Sequence, residues 1–474
     1  MTSPSTLTAA RALLESRSIS PSELLDEYVR NIATAEPQVK AWKILRLDEA
    51  KAQAKALDQK IATLQELPRL FAIPYGAKDI ICTQGIPTEA GSKVLQGHIP
   101  DEDASVIKTL KAQDAVLLGK TTTTEFANLG NPPPTTNAWN PGHTPGGSSS
   151  GSAAAMGARM ALFTLGTQTA GSISRPAAFN GLTALKATYG RISKTGVYPC
   201  GRSLDHVGAF THSVEDSALV YNALSGPDPT DEATRYLPYQ PLSIRSNKDY
   251  TIGILEDAYF AAADNVGVAA MMQALAHLRG AGVRVIAVKP PRGLAESAQA
   301  QHVTMQAEVA SYHAQTFKTR GELFDPSLQA FIAEGLKISA DQYLQAQSVR
   351  NDYRIAFAQA FADADILVTP TALGTAPAGI GATGSPVFNL PFTNLGLPTL
   401  TLPVGFSPEN ALPLERIALA LDGLPLKART AFLLSQLDGL TYAEIAAQLG
   451  VSASMVRKYM AQALQQCMQT LDPA

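Results

Sequence analysis

From about Leu70 to Lys120 two short apolar runs, Phe71-Ala72-Ile73-Pro74 and Ala115-Val116-Leu117-Leu118-Gly119, bracket a helical stretch around Ser105 to Leu110. A chain that runs strand, helix, strand buries all three only by laying the helix on a sheet, which predicts an α/β fold. The rhythm returns at Tyr250 to Leu255, Ala269 to Leu278, Val283 to Val288 and Ile366 to Pro370, without a fixed-period repeat. Upstream, Ser20-Pro21-Ser22-Glu23 joins an N-cap, a proline at the first helical position and a capping-box glutamate. Leu24, Leu25, Tyr28, Val29 and Ile32 follow at helical spacing, so the chain opens with amphipathic helices. With 474 residues, 45% hydrophobic and 17% charged, there is enough apolar surface for a large core plus an appendage.

Charge excludes some partners. A net charge of −3 and a pI near 6.2 rule out whole-chain attraction to nucleic acid or an anionic membrane. No apolar run reaches the ~18 residues that span a bilayer, and Ala153 to Gly166 is interrupted by Arg159. The first residues lack a basic segment followed by an apolar one, as a secretory signal would have. Cys82, Cys200 and Cys467 lie far apart without a Cys-x-x-Cys, which suits three free thiols in a reducing compartment. The expectation is a soluble cytoplasmic protein.

The most unusual composition is Gly146-Gly147-Ser148-Ser149-Ser150-Gly151-Ser152, running straight into Ala153-Ala154-Ala155. A flexible linker would not lead at once into residues of high helix propensity. Gly147 to Gly151 also fits a Gly-x-Ser-x-Gly nucleophile elbow centred on Ser149. That turn needs an entering strand, and Pro141, Gly142, Thr144 and Pro145 stand there instead. Gly119-Lys120-Thr121 alone suggests a phosphate loop, but Asp114 occupies the position where that loop needs its first glycine.

Two further pieces accompany the Gly/Ser segment. Phe71 to Asp79 places Lys78 just after an apolar strand. Gly166-Thr167-Gln168-Thr169-Ala170-Gly171-Ser172-Ile173-Ser174-Arg175-Pro176-Ala177 forms a second small-residue loop. Together these three pieces resemble the amidase signature family of serine amidohydrolases, and the two loop serines, Ser148 and Ser172, are 24 residues apart, as in that family. Supporting blocks include Gly85-Ile86-Pro87-Thr88, Glu125-Phe126-Ala127, Ser203 to Gly208, Thr369-Pro370-Thr371 and Phe392-Thr393-Asn394, so the resemblance covers Ser20 to Phe406.

The resemblance implies a large mixed central sheet flanked by helices on both faces, an amide substrate, and neither metal nor cofactor. It also implies a Ser-cisSer-Lys triad of Lys78, Ser148 and Ser172, with a cis peptide at Gly147-Ser148. Gly147 and Ser149 support the loop, and the backbone N–H groups of Thr169, Ala170, Gly171 and Ser172 form an oxyanion hole. A serine hydroxyl needs a base, and lysine is one only when burial leaves it neutral. Ser148 would carry the Ser172 proton to Lys78. The departures from the family's Asp-x-Gly-Gly-Ser-Ile-Arg are Gln168, Ala170, Ser174 and an arginine, Arg175, displaced by one position. The transamidating subunit of a glutamyl-tRNA amidotransferase is close in sequence and is an alternative activity.

After the Gly/Pro-rich stretch from Thr369 to Phe406 the strand signals stop, which divides the chain into residues 1–410 and 411–474. Thr441-Tyr442-Ala443-Glu444 is a capping box, Gly450 a turn residue and Ser452 a second N-cap, a helix-turn-helix pattern. Leu424 to Cys467 resembles region 4 of extracytoplasmic-function sigma factors. That likeness implies promoter DNA or RNA polymerase as a partner, contacted through Ser452, Ser454, Arg457 and Lys458, with the amidase part a relic or sensor. From Arg416 onward five basic and four acidic residues leave a net charge of only +1. Helix-turn-helix sequence also stands where the amidase family usually adds a strand and helix, and the unpaired edge this would leave favours a homodimer.

Overall fold

The computed structural model describes residues 4–244, 249–405, 424–436 and 441–471. The chain forms two compact units, Met1–Val404 and Gly405–Ala474. The 410/411 boundary expected from the sequence falls within 406–423, outside the described residues.

The first unit opens with α1 (Leu7–Glu15) and α2 (Pro21–Val39), the latter started by the Ser20/Glu23 capping box. Then come β1 (Trp42–Leu45), α3 (Leu47–Lys60), β2 (Pro74–Lys78), α4 (Ser105–Ala112) and β3 (Val116–Thr121). After a long connection follow α5 (Ser150–Gly157), β4 (Phe163–Gln168), α6 (Ser174–Phe179), β5 (Thr183–Lys186), β6 (His206–Thr211) and α7 (Val214–Leu224). With β10 (Thr399–Thr401) these build a seven-stranded sheet in the order β1-β3-β2-β4-β6-β5-β10. Its centre is parallel (β3, β2, β4) and its flanks antiparallel, so the sheet is mixed. Every residue of β2, β4 and β6 is buried, which requires cover on both faces. A separate parallel sheet holds β7 (Thr251–Leu255) between β8 (Arg284–Val288) and β9 (Ile366–Val368). Against it lie α8 (Asn265–Gly280), the start of α9 (Leu294–Arg320), α11 (Ala340–Phe357) and α12 (Leu390–Asn394), while α10 (Pro326–Gly335) packs on α9 and the main core.

One local reading changes, and the phosphate loop already rejected because of Asp114 stays rejected. The strand before the lysine begins at Pro74 rather than Phe71, because Leu70 to Ile73 close a turn, with Ile73 N–H donating to Leu70 O and Ala72 at φ 59°. Lys78 is therefore the last residue of β2 rather than one beyond it. Gly119-Lys120-Thr121 lies inside β3, where Lys120 is fully buried and donates to the Thr88 hydroxyl at 2.8 Å, so no phosphate loop exists there.

Among the described residues β10 ends the sheet on the β5 side, and nearby Leu400, Leu402 and Val404 are exposed. No described helix is long and apolar enough to cross a membrane.

The second unit contains helices Leu426–Gln436, Tyr442–Leu449 and Ala453–Leu471 around Ala431, Ile445, Ala446, Val456 and Met460. The Thr441/Glu444 capping box forms as read from the sequence, and Gly450 turns the chain at φ 64°, a conformation that suits a residue without Cβ.

Candidate active site

Three chain segments converge at the carboxyl ends of the parallel strands. β2 delivers Lys78, β4 delivers Thr167 and then the 169–173 loop, and the Gly/Ser segment delivers Ser148. The Gly/Ser segment is no linker: Ser149 and Ser150 are buried, and Ala153, Ala154 and Ala155 have no exposed surface. Gly151 makes this possible, since a Cβ there would lie 2.2 Å from Ala41 O and 2.4 Å from Thr122 N. Its absence lets α5 sit directly on the sheet.

Lys78 is fully buried. Its Nζ lies 2.8 Å from Ser148 Oγ and donates to Thr167 Oγ1 at 2.9 Å, and no ion pair involves it among the described residues. Burial pulls the amine down to about 7. Cys200 and Asp205 oppose that shift, and Arg175 adds to it. The Gly147-Ser148 peptide is cis. Ser149 supports the loop, bonding β4 through Thr167 N–H and O at 3.3 Å each, and its complete burial excludes the nucleophile-elbow reading.

Ser172 sits on the neighbouring loop with 8% of its surface exposed. Among the described residues no hydrogen bond joins its hydroxyl to Ser148. The two loops are instead pinned together by Arg175, whose Nη2 donates to Gly147 O at 2.5 Å. The displaced arginine of the sequence thus acquires a place: it ties the segment after Ser172 to the peptide that carries Ser148.

The backbone around Ser172 is held from behind. Thr169 O accepts from Gln301 Nε2 at 2.7 Å, and Ala170 O accepts from Thr393 Oγ1 at 2.8 Å. In a trans peptide the C=O and the following N–H point in opposite directions, so the Ala170 and Gly171 N–H groups are turned away from these two side chains. Among the described residues no hydrogen bond engages the N–H of Ala170, Gly171 or Ser172. Gln168 replaces a carboxylate without leaving a gap: Oε1 accepts from Ile173 N–H at 2.8 Å and Ser174 N–H at 2.9 Å, and Nε2 donates to Thr393 Oγ1 at 2.9 Å. Gln301 was not singled out in the sequence, Thr167 and Thr393 appeared there only as members of longer blocks, and Gln301 and Thr393 lie 132 and 223 residues from the loop residues they hold.

A cleft of about 330 Å³ opens against this cluster, lined by Thr167, Cys200, Asp205, Lys194 and Arg202 among others. A second, of about 810 Å³, shares Arg202 with it and reaches Tyr343. Among the described residues no group of three or more His, Cys, Asp or Glu is placed to hold a metal ion.

In the second unit Ser452, Ser454, Arg457 and Lys458 are all exposed, at the turn and in the first two turns of Ala453–Leu471. Ser452 Oγ accepts from Met455 N–H at 3.2 Å and so serves as the expected N-cap. The side chains of Leu464 and Cys467 lie outside the described residues.

A paired buried amine and hydroxyl beside a backbone loop with free N–H groups is the equipment of an acyl-transfer site. The sequence model of the Amidase family matches residues 23–427, and the chain belongs to that family. The model of Sigma-70, region 4, matches residues 414–467. A glutamyl-tRNA(Gln) amidotransferase subunit of Cyanothece sp. is 36% identical over 458 residues, covering 88% of this chain and 94% of the relative. A crystal structure of an amidase superposes with a TM-score of 0.76 at 28% identity, over 85% of this chain and 92% of that one. The corresponding glutamyl-tRNA(Gln) amidotransferase subunit from Thermotoga maritima gives 0.68 at 27% identity, over 82% and 86%.

Proposed function

We propose that the chain cleaves a carboxamide C–N bond through an acyl-enzyme on Ser172, releasing ammonia or an amine. The observation that carries this reading is the fully buried Lys78 amine, drawn down to about 7 by burial and 2.8 Å from the Ser148 hydroxyl. In this reading neutral Lys78 takes the Ser148 proton as Ser148 takes that of Ser172, and Ser172 Oγ attacks the amide carbon. The oxyanion lies against the N–H groups of the 169–172 loop, where each donor is worth about 3 kcal/mol of transition-state stabilisation. The tetrahedral intermediate collapses as Lys78, through Ser148, returns the proton to the departing nitrogen. Water, deprotonated along the same relay, then frees the acid and restores Ser172. No metal or cofactor enters the scheme.

Of the two settings for this chemistry, stand-alone amidase or amidotransferase component, the sequence relatives favour the second, since they are named as glutamyl-tRNA(Gln) amidotransferase subunits. The test is ammonia release from glutamine and from aliphatic, aromatic and amino-acid amides, by the chain alone and with the partner subunits of such an amidotransferase. Glutamine turnover that rises when the partners are added is expected. Turnover of simple amides alone, unchanged by partners, would make it a stand-alone amidase, and no ammonia from any amide would remove the reading.

A further inference from the structure

Resting on that reading, we propose that Asp205 is a positioning residue of the amide-cleaving site, holding the Thr169 end of the oxyanion loop against the 200–201 turn. Asp205 stands just before β6 and faces the smaller cleft. Its carboxylate accepts from Thr169 Oγ1 at 2.5 Å and from the N–H groups of Cys200 and Gly201 at 3.0 Å. No cation pairs with it among the described residues. Burial pushes this carboxyl up to about 6, opposed most by the Thr169 hydroxyl. A carboxylate is all acceptor, so it serves three donors at once, whereas a carboxamide would turn an N–H toward one of them. Thr169 is gripped on its other side by Gln301, so its side chain and its carbonyl are both fixed. The peptide unit thereby immobilised is the one whose N–H belongs to Ala170.

The same carboxylate has a second effect. Lys78 faces the hydroxyls of Ser148 and Thr167, the Cys200 thiol, the Arg175 guanidinium and Asp205. Burial pushes the Cys200 thiol up to about 12, so it stays neutral and Asp205 is the anion of this group. Its charge favours protonated Lys78. Removing that charge lets the amine become neutral at lower pH, and the acid limb of the rate profile moves down with it.

The experiment compares Asp205→Asn with Thr169→Val, measuring kcat, KM and the pH profile of kcat/KM, with thermal unfolding as a check on folding. Asp205→Asn should lower kcat by about 10- to 100-fold with KM within about threefold, and move the acid limb down by about 0.5 to 1 pH unit. Thr169→Val breaks the same tie but keeps the charge, so kcat should fall similarly with the limb in place. Wild-type kcat in both variants overturns the proposal, as does a raised KM at unchanged kcat, which would make Asp205 a substrate ligand. If Asp205→Asn does not fold, Thr169→Val decides alone: undiminished kcat overturns, a loss at constant KM supports. A wild-type chain without Ser172-dependent turnover would instead sink the functional reading, and this inference with it.

Discussion

Ser172→Ala should lower kcat/KM for amide cleavage by about 10⁵-fold or more while leaving the fold in place, because in the proposed scheme it removes the atom to which the acyl group bonds. The substitution deletes one oxygen that makes no hydrogen bond among the described residues, on a loop held by Gln168, Gln301 and Thr393 rather than by Ser172 itself. Stability should therefore stay within about 0.5 kcal/mol of wild type. Ammonia release and a thermal melt check the two halves. Retained activity would remove Ser172 as the nucleophile.

The second large effect is at Lys78. Lys78→Met keeps an unbranched side chain of similar volume in the same buried slot but has no nitrogen to receive a proton. Its kcat should fall by about 10³-fold, within the range that a positioned general base supplies. Thr167 and Ser148 lose a partner in this variant, so the melt is measured alongside the rate. A loss of less than tenfold would exclude Lys78 as the base.

Much of this site was legible because its signals are local. A capping box spans four residues and forms as read at both Ser20 and Thr441. The small residues that let backbone approach backbone announce themselves by composition, and Ser148 and Ser172 were picked out by the resemblance to the amidase signature family, whose two loop serines are 24 residues apart. What failed was set by contacts distant in sequence. The start of β2 shifted because Leu70 to Ile73 form a turn, closed by Ile73 N–H on Leu70 O and held in place by Ala72 N–H donating to Asp114 O, 42 residues on, where apolar composition alone suggested a strand. Gln301 and Thr393 reach the 169–173 loop from helices α9 and α12, and nothing in the periodicity of those helices distinguishes them from other polar residues. Gln168 and Arg175 were visible as departures, but only their partners show that an amide oxygen satisfies two backbone donors and that a guanidinium joins two loops.

The proposed mechanism turns on an uncharged lysine. With the Lys78 amine held at about 7, its neutral fraction, and the rate that depends on it, grow as pH rises through that value. The deciding measurement is the pH dependence of kcat/KM for the wild-type chain on an amide whose own charge does not change between pH 5 and 10. An acid limb whose upper step is centred near 7 and is absent from the residual activity of Lys78→Met, leaving only the Asp205 step near 6, is the predicted result. A flat profile, or a limb near the ordinary lysine value of 10.5, would contradict it.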